Sequence, residues 1–287
     1  MASTTESSNS PSPADSVLLE PNLGEELVKI FVGAKRKKFV VHKKLLCESA
    51  DYFKGAFTRD FEEARKGEMY MPEDSPGAFS LYIDWLYRGS VPTSNTEAHV
   101  KHLYELYFLA NKLCLIELED KTMDTIQDMA KKYDLKDELI RPSLVVAVIQ
   151  NTPKKTEGLR RFCIYQMAWH EYENSNSNGD NNDEDQHPYL MRKDAKAVFR
   201  ICNQTNDCRF LKSFLNRLIW LVADDIDSDN LERLDPRIRD EEEDAVDRCY
   251  FHCHENFVNC RPSKDQADDV FIPDEENRIT PTSQESE

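Results

Sequence analysis

The apolar positions of this chain change period several times, and each change marks an element. Leu27, Val28, Ile30, Phe31 and Val32 form a β-branched and aromatic run. Gly33-Ala34 opens a turn, and Phe39-Val40-Val41 resumes the run, the pattern of a β-hairpin. Leu45-Leu46-Cys47 then forms a short helical group. Ser49 stands as an N-cap before Tyr52, Phe53, Ala56 and Phe57, which share one helical face. Glu68 to Met71 reads as a short third strand stopped by Pro72. Ser75-Pro76 opens a helix with Phe79, Ile83 and Leu86 on one side and Gly89 at its end, where a left-handed residue is wanted. Two more helices follow. Thr96 precedes the first, which carries Val100, Leu103, Tyr107 and Ala110, and the second carries Leu118, Met123, Ile126, Ala130 and Tyr133.

Pro142 interrupts this pattern. Residues 143–150 and 156–172 predict two helices, the second with Leu159, Phe162, Cys163, Gln166 and Trp169. Residues 174–187 are rich in Asn, Ser and Asp and have little to bury, which predicts a disordered insert. Helix resumes over 189–224 with Phe199, Phe210, Phe214, Leu218 and Leu221. The expected organisation is α+β. A Ser/Pro-rich lead (1–24) precedes a domain with a small β-sheet flanked by helices (25–133). An α-helical extension (142–224) and an acidic, largely disordered tail (225–287) complete it.

Charge sharpens that division. The net charge is −17, and residues 224–287 hold 21 acids against 7 bases, whereas 25–223 balances 30 against 30. A neutral body with an acidic tail has no overall attraction for phosphate backbones, so nucleic acid is not an expected partner. The basic run Lys35-Arg36-Lys37-Lys38 reads as a solvated hairpin turn. No apolar run reaches membrane-spanning length, and the polar start carries no leader pattern. With eight cysteines in that setting, thiols and an intracellular location (cytoplasm, nucleus or both) are expected.

Three segments carry a resemblance. Phe39-x-Val41-His42-Lys43-x-Leu45-Leu46 is followed by Ser49-x-x-x-Phe53; Phe79-x-x-x-Ile83-x-Trp85-Leu86-Tyr87-x-Gly89 comes next; Leu106-Tyr107-x-Leu109-Ala110-x-Lys112-Leu113 is third. In this order and spacing they resemble the BTB/POZ fold, and their wording is most similar to BTB proteins of filamentous fungi. Each apolar member is equally a core position of a small domain, worth about 1.5–3 kcal/mol when buried. His42 has no catalytic partner arrangement around it in sequence and matches a structural position of the family.

The resemblance implies a protein–protein interaction module. Many BTB domains dock onto a cullin-type ubiquitin-ligase scaffold through a hydrophobic-x-Glu motif before the third strand. Phe61-Glu62-Glu63 occupies that gap, making Phe61 and Glu63 the partner-binding candidates. The bland alternative is that Phe61 folds back on its own helix. The N-terminal helix and strand that swap in many BTB dimers have no counterpart in 1–24, so self-association is expected through helices if at all. A second reading is a nuclear regulatory scaffold whose acidic tail recruits basic partners. An enzyme is a third, and no assembled nucleophile, base or phosphate loop supports it.

One further cluster stands out. Cys249, His252, His254 and Cys260 offer four zinc-type ligands within twelve residues. The set lacks a Cys-x-x-Cys pair, and the His252–His254 spacing departs from the usual zinc patterns. From spacing alone the expectation is no cofactor, less than stoichiometric zinc, and a segment packed through Tyr250, Phe251 and Phe257.

Overall fold

The computed structural model describes residues 23–152, 158–177, 194–205, 207–223, 234–238 and 249–254. These fall into two compact units. One contains 23–30 and 39–69, and the other contains 31–38 and the described residues from 70 onward.

The hairpin forms as the alternation predicts. Strand β1 (Leu27–Val32) buries Val28, Ile30 and Val32, and β2 (Lys37–His42) buries Val41. Strand β3 (Glu68–Met71) completes a sheet of order β2-β1-β3. Lys29 N–H donates to Gly67 O and Gly33 N–H to Met71 O, each at 2.9 Å. The register advances in the same sense on both strands, so β3 runs parallel to β1. The basic run spans the turn and the start of β2. Its Arg36, at φ +52°, is more than solvated, because its guanidinium lies over the rings of Phe31 and Tyr70 at 5.3 and 4.3 Å.

In the first unit, α1 (Lys43–Ser49), α2 (Asp51–Thr58) and α3 (Glu62–Lys66) follow β2. Ser49 does not cap α2. Its hydroxyl donates to Leu46 O at 2.8 Å, closing the last turn of α1, and Ala50 takes the N-cap position of α2. Phe53 and Phe57, one turn apart, carry the buried face of α2, while Tyr52 lies off it and is exposed.

The second unit is helical beyond β3. In α4 (Pro76–Arg88), Ser75 accepts the Ala78 N–H, Pro76 sits in the first turn and Gly89 closes the helix at φ +70°. Its buried face is Ala78, Phe79, Leu81 and Tyr82; Ile83 and Leu86 are only half-buried, so the stripe is rotated from the predicted one. Helices α5 (Glu97–Lys112) and α6 (Ile116–Lys132) bury the expected positions, except that Tyr133 is the half-buried C-cap of α6. Thr96 caps α5 through its side chain.

Helices α7 (Pro142–Asn151) and α8 (Gly158–Ser177) pack in this unit, with Tyr104 of α5 donating to Leu139 O at 2.8 Å just before α7. Helix α8 extends through residues 174–177, which the composition assigned to the insert; Asn174 Nδ2 lies 3.1 Å from His170 Nε2 one turn back. Residues 178–187 lie outside the described set. The described residues of 189–224 hold two helices, α9 (Asp194–Thr205) and α10 (Cys208–Ala223). Asp207 separates them, accepting the Arg209 N–H at 3.0 Å as a local cap. The Phe199 side chain is outside the described set. Phe210, Phe214, Leu218 and Leu221 are buried as expected. Arg217 joins α10 to α8, its guanidinium lying 4.1 Å from the Tyr165 ring centroid and 4.2 Å from that of Trp220.

Candidate functional site

Two places answer to the sequence candidates. The first is the α2–α3 junction. Glu62 begins a five-residue helix with acids in its first turn and Arg65 and Lys66 in its last, matched to the helix dipole. Phe61 is its N-cap, extended at φ −93° and ψ 164°. Phe61 is 50% exposed. Glu63 is half-buried two residues on, and its carbonyl accepts the Gly67 N–H at 2.8 Å where Gly67 adopts φ +64°. Glu62 pairs with Lys66 one turn later, and that contact holds its carboxyl below the ordinary range.

The resemblance residues divide by role. His42 is half-buried at the N-cap of α1 and makes no side-chain cap bond, and Lys43 pairs with Glu26 at 2.9 Å. Phe53, Leu106, Tyr107 and Ala110 are buried. Trp85 and Leu86 are half-buried, Tyr87 is exposed and Gly89 is the left-handed stop of α4.

The second place is formed where described pieces of the tail meet helices of the second unit. Arg237 donates to both carboxylate oxygens of Asp235 and, at 2.8 Å, to Asp134; Gln127 of α6 donates to Pro236 O at 2.8 Å. Phe251 is fully buried, with its ring edge-on to Phe162 and Tyr165 of α8 at 5.4 and 5.7 Å. Arg161 donates to Tyr250 O at 2.7 Å, and the Tyr165 and Tyr250 hydroxyls meet. Gly158 is required beneath this turn, because a Cβ there would lie 2.2 Å from Phe251 O. The packing expected of Tyr250 and Phe251 is therefore present, with Phe257 outside the described residues.

The same turn gathers the candidate ligands. Ligand atoms of Cys249, His252 and His254 lie within 4.8 Å of one another, while Cys260 lies outside the described residues. His252 Nδ1 is 3.2 Å from His254 Nε2, and His252 Nε2 is 2.9 Å from Asp124 Oδ1. Asp120 Oδ1 accepts the Cys253 N–H at 2.7 Å, and its Oδ2 is 3.9 Å from His254 Nε2. Cys253 Sγ is 2.8 Å from the Tyr107 hydroxyl, and burial pushes that thiol up to about 12. Burial likewise raises the carboxyls of Asp120 and Glu119. Sequence reasoning missed Asp120 and Asp124. The available signal was their i, i+4 placement beside Leu118 and Met123 on a helix that buries that side.

Among the described residues Cys47, Cys114, Cys163, Cys202, Cys249 and Cys253 form no disulfide, and no described helix is long and apolar enough to cross a membrane. Comparison with known proteins bears on the domain that contains the first place. A stretch of 87 residues is 28% identical to Kelch-like protein 40a of zebrafish (Danio rerio), covering 30% of this chain and 13% of that relative. The family model for the BTB/POZ domain matches residues 20–134, which contain the three-stranded sheet, α1 to α6 and the Phe61 junction. The chain thus carries a BTB/POZ domain, a protein-interaction domain, over residues 20–134.

Proposed function

We propose that this chain is an adaptor that docks onto a cullin-type ubiquitin-ligase scaffold through Phe61 and Glu63, acting inside the cell by binding and without a catalytic step of its own. The observation that carries this reading is the exposed Phe61 ring at the extended N-cap of α3, with Glu63 two residues on. A large aromatic ring kept in water gains its apolar transfer energy only when a partner's pocket covers it. A carboxylate beside it fixes register through a charge-assisted hydrogen bond. The intact BTB/POZ frame around this junction supports the same reading.

Calorimetry of the full chain against a purified cullin scaffold tests it. Wild type should bind, and Phe61→Ala should weaken binding by about 2 kcal/mol or more, as for an interface anchor. Glu63→Gln should cost less, about 1 kcal/mol. No binding by wild type would overturn the adaptor reading, and equal binding by Phe61→Ala would overturn the assigned surface.

A further inference from the structure

We propose that Cys249, His252 and His254 hold a zinc ion with Asp120 as fourth ligand, and that the ion fastens the 249–254 turn to α6. Spacing along the chain argued against zinc because it tests for a self-contained finger. The folded arrangement is different in kind: three ligands come from one tight turn, and the carboxylates come from a helix more than 120 residues earlier.

The histidine pair has the spacing of two ligands on one ion. Zinc–nitrogen bonds of about 2.0–2.1 Å at a tetrahedral angle place two nitrogens about 3.3 Å apart. His252 Nδ1 and His254 Nε2 are 3.2 Å apart. Cys249 Sγ belongs to the same cluster, within 4.8 Å; a zinc–sulfur bond of about 2.3 Å would require the turn to close on the ion by about 1 Å.

The second nitrogen of His252 supplies an independent argument. A carboxylate only accepts, so the 2.9 Å contact of Nε2 with Asp124 Oδ1 makes Nε2 the protonated nitrogen. In the neutral ring the lone pair then sits on Nδ1, directed toward His254. A carboxylate that orients a histidine from behind is the usual support of a metal-bound imidazole. Asp120 is held in place through Oδ1 by the Cys253 amide, leaving Oδ2 on the His254 side.

Charge and burial agree. A Cys249 thiolate and the Asp120 carboxylate neutralise a dication, and the thiol proton leaves to solvent on binding. Cys249 and His252 are both buried, which fits a closed structural site rather than an open catalytic one. The competing arrangement is a plain N–H···N hydrogen bond between two neutral imidazoles. It accounts for the 3.2 Å contact and requires neither Cys249 nor Asp120.

Metal content of the full chain decides between them. After expression with zinc and gel filtration, elemental analysis should give about one zinc per chain. Cys249→Ser and His254→Ala should each lose it. Asp120→Asn, whose Oδ1 can still accept the Cys253 amide, should bind zinc about tenfold or more weakly. Stripped wild type reloaded with cobalt(II) should show a thiolate-to-cobalt charge-transfer band and tetrahedral ligand-field bands. Zinc-free wild type without that cobalt band would overturn the proposal, and this measurement does not depend on whether any variant folds. Full zinc retention in both Cys249→Ser and His254→Ala would overturn it as well, and undiminished affinity in Asp120→Asn would remove Asp120 from the ligand set.

Discussion

The α2–α3 junction and the docked 249–254 turn use aromatic side chains in opposite ways. At the junction Phe61 stands half in water at the start of a five-residue helix in which Glu62 pairs with Lys66 one turn on. In the turn Phe251 is wholly buried, and the polar groups around it find partners on α5, α6 and α8. A half-exposed ring adds less to stability than a buried one and keeps apolar surface in water. A buried ring stabilises the fold and leaves nothing for a partner. The two rings are the same residue type, so local backbone and neighbours decide the role.

Substitution should widen this contrast. The largest effect is expected from Phe251→Ala, which removes a fully buried ring and should cost about 3–5 kcal/mol in chemical denaturation. Gly158→Ala comes next, at about 3 kcal/mol, because the new methyl meets a backbone carbonyl that cannot swing aside. A thermal-melting decrease without loss of far-ultraviolet helicity would locate the damage in packing.

Asp207→Asn tests the ion pair with Arg160 that ties α8 to the start of α10, and about 2 kcal/mol should be lost near neutral pH. Burial raises the Asp207 carboxyl, but Arg160 and the local amides outweigh it and hold it below the ordinary value. Its folded pKa is depressed, so its contribution is present above the unfolded value of about 3.9 and fades as pH falls through the folded one. Wild type and Asp207→Asn should therefore converge in stability in acid; a constant gap across pH 3 to 7 would contradict the assignment. Phe61→Ala should change stability least, within about 0.5 kcal/mol, while changing binding most.

The sequence showed the frame more clearly than the contacts. Strand alternation, the Ser75-Pro76 start and the Gly89 stop are local signals and needed no tertiary information. Ser49 misled because a hydroxyl can close the preceding helix as readily as cap the next one, and only the backbone path distinguishes them. The rotated stripe on α4 and the break at Asp207 arise from packing and capping that periodicity does not encode. The exposure of Phe61 at the N-cap of α3 follows from tertiary placement, which no hydrophobicity pattern specifies. For the Cys/His turn, spacing along the chain carries no information about Asp120 and Asp124, which reach it from α6.

Tyr107 belongs to the third resemblance motif, yet its hydroxyl meets Cys253 of the tail and accepts from the Leu159 amide at the start of α8. Anyone cutting a minimal fragment at the end of the matched family segment would sever those contacts, together with the bonds of Tyr104 to Leu139 and Gln127 to Pro236. The excised piece would turn to water an apolar wall that the later helices and the tail otherwise cover, a surface prone to precipitate. For expression and crystallisation the practical unit is therefore longer than the homologous one.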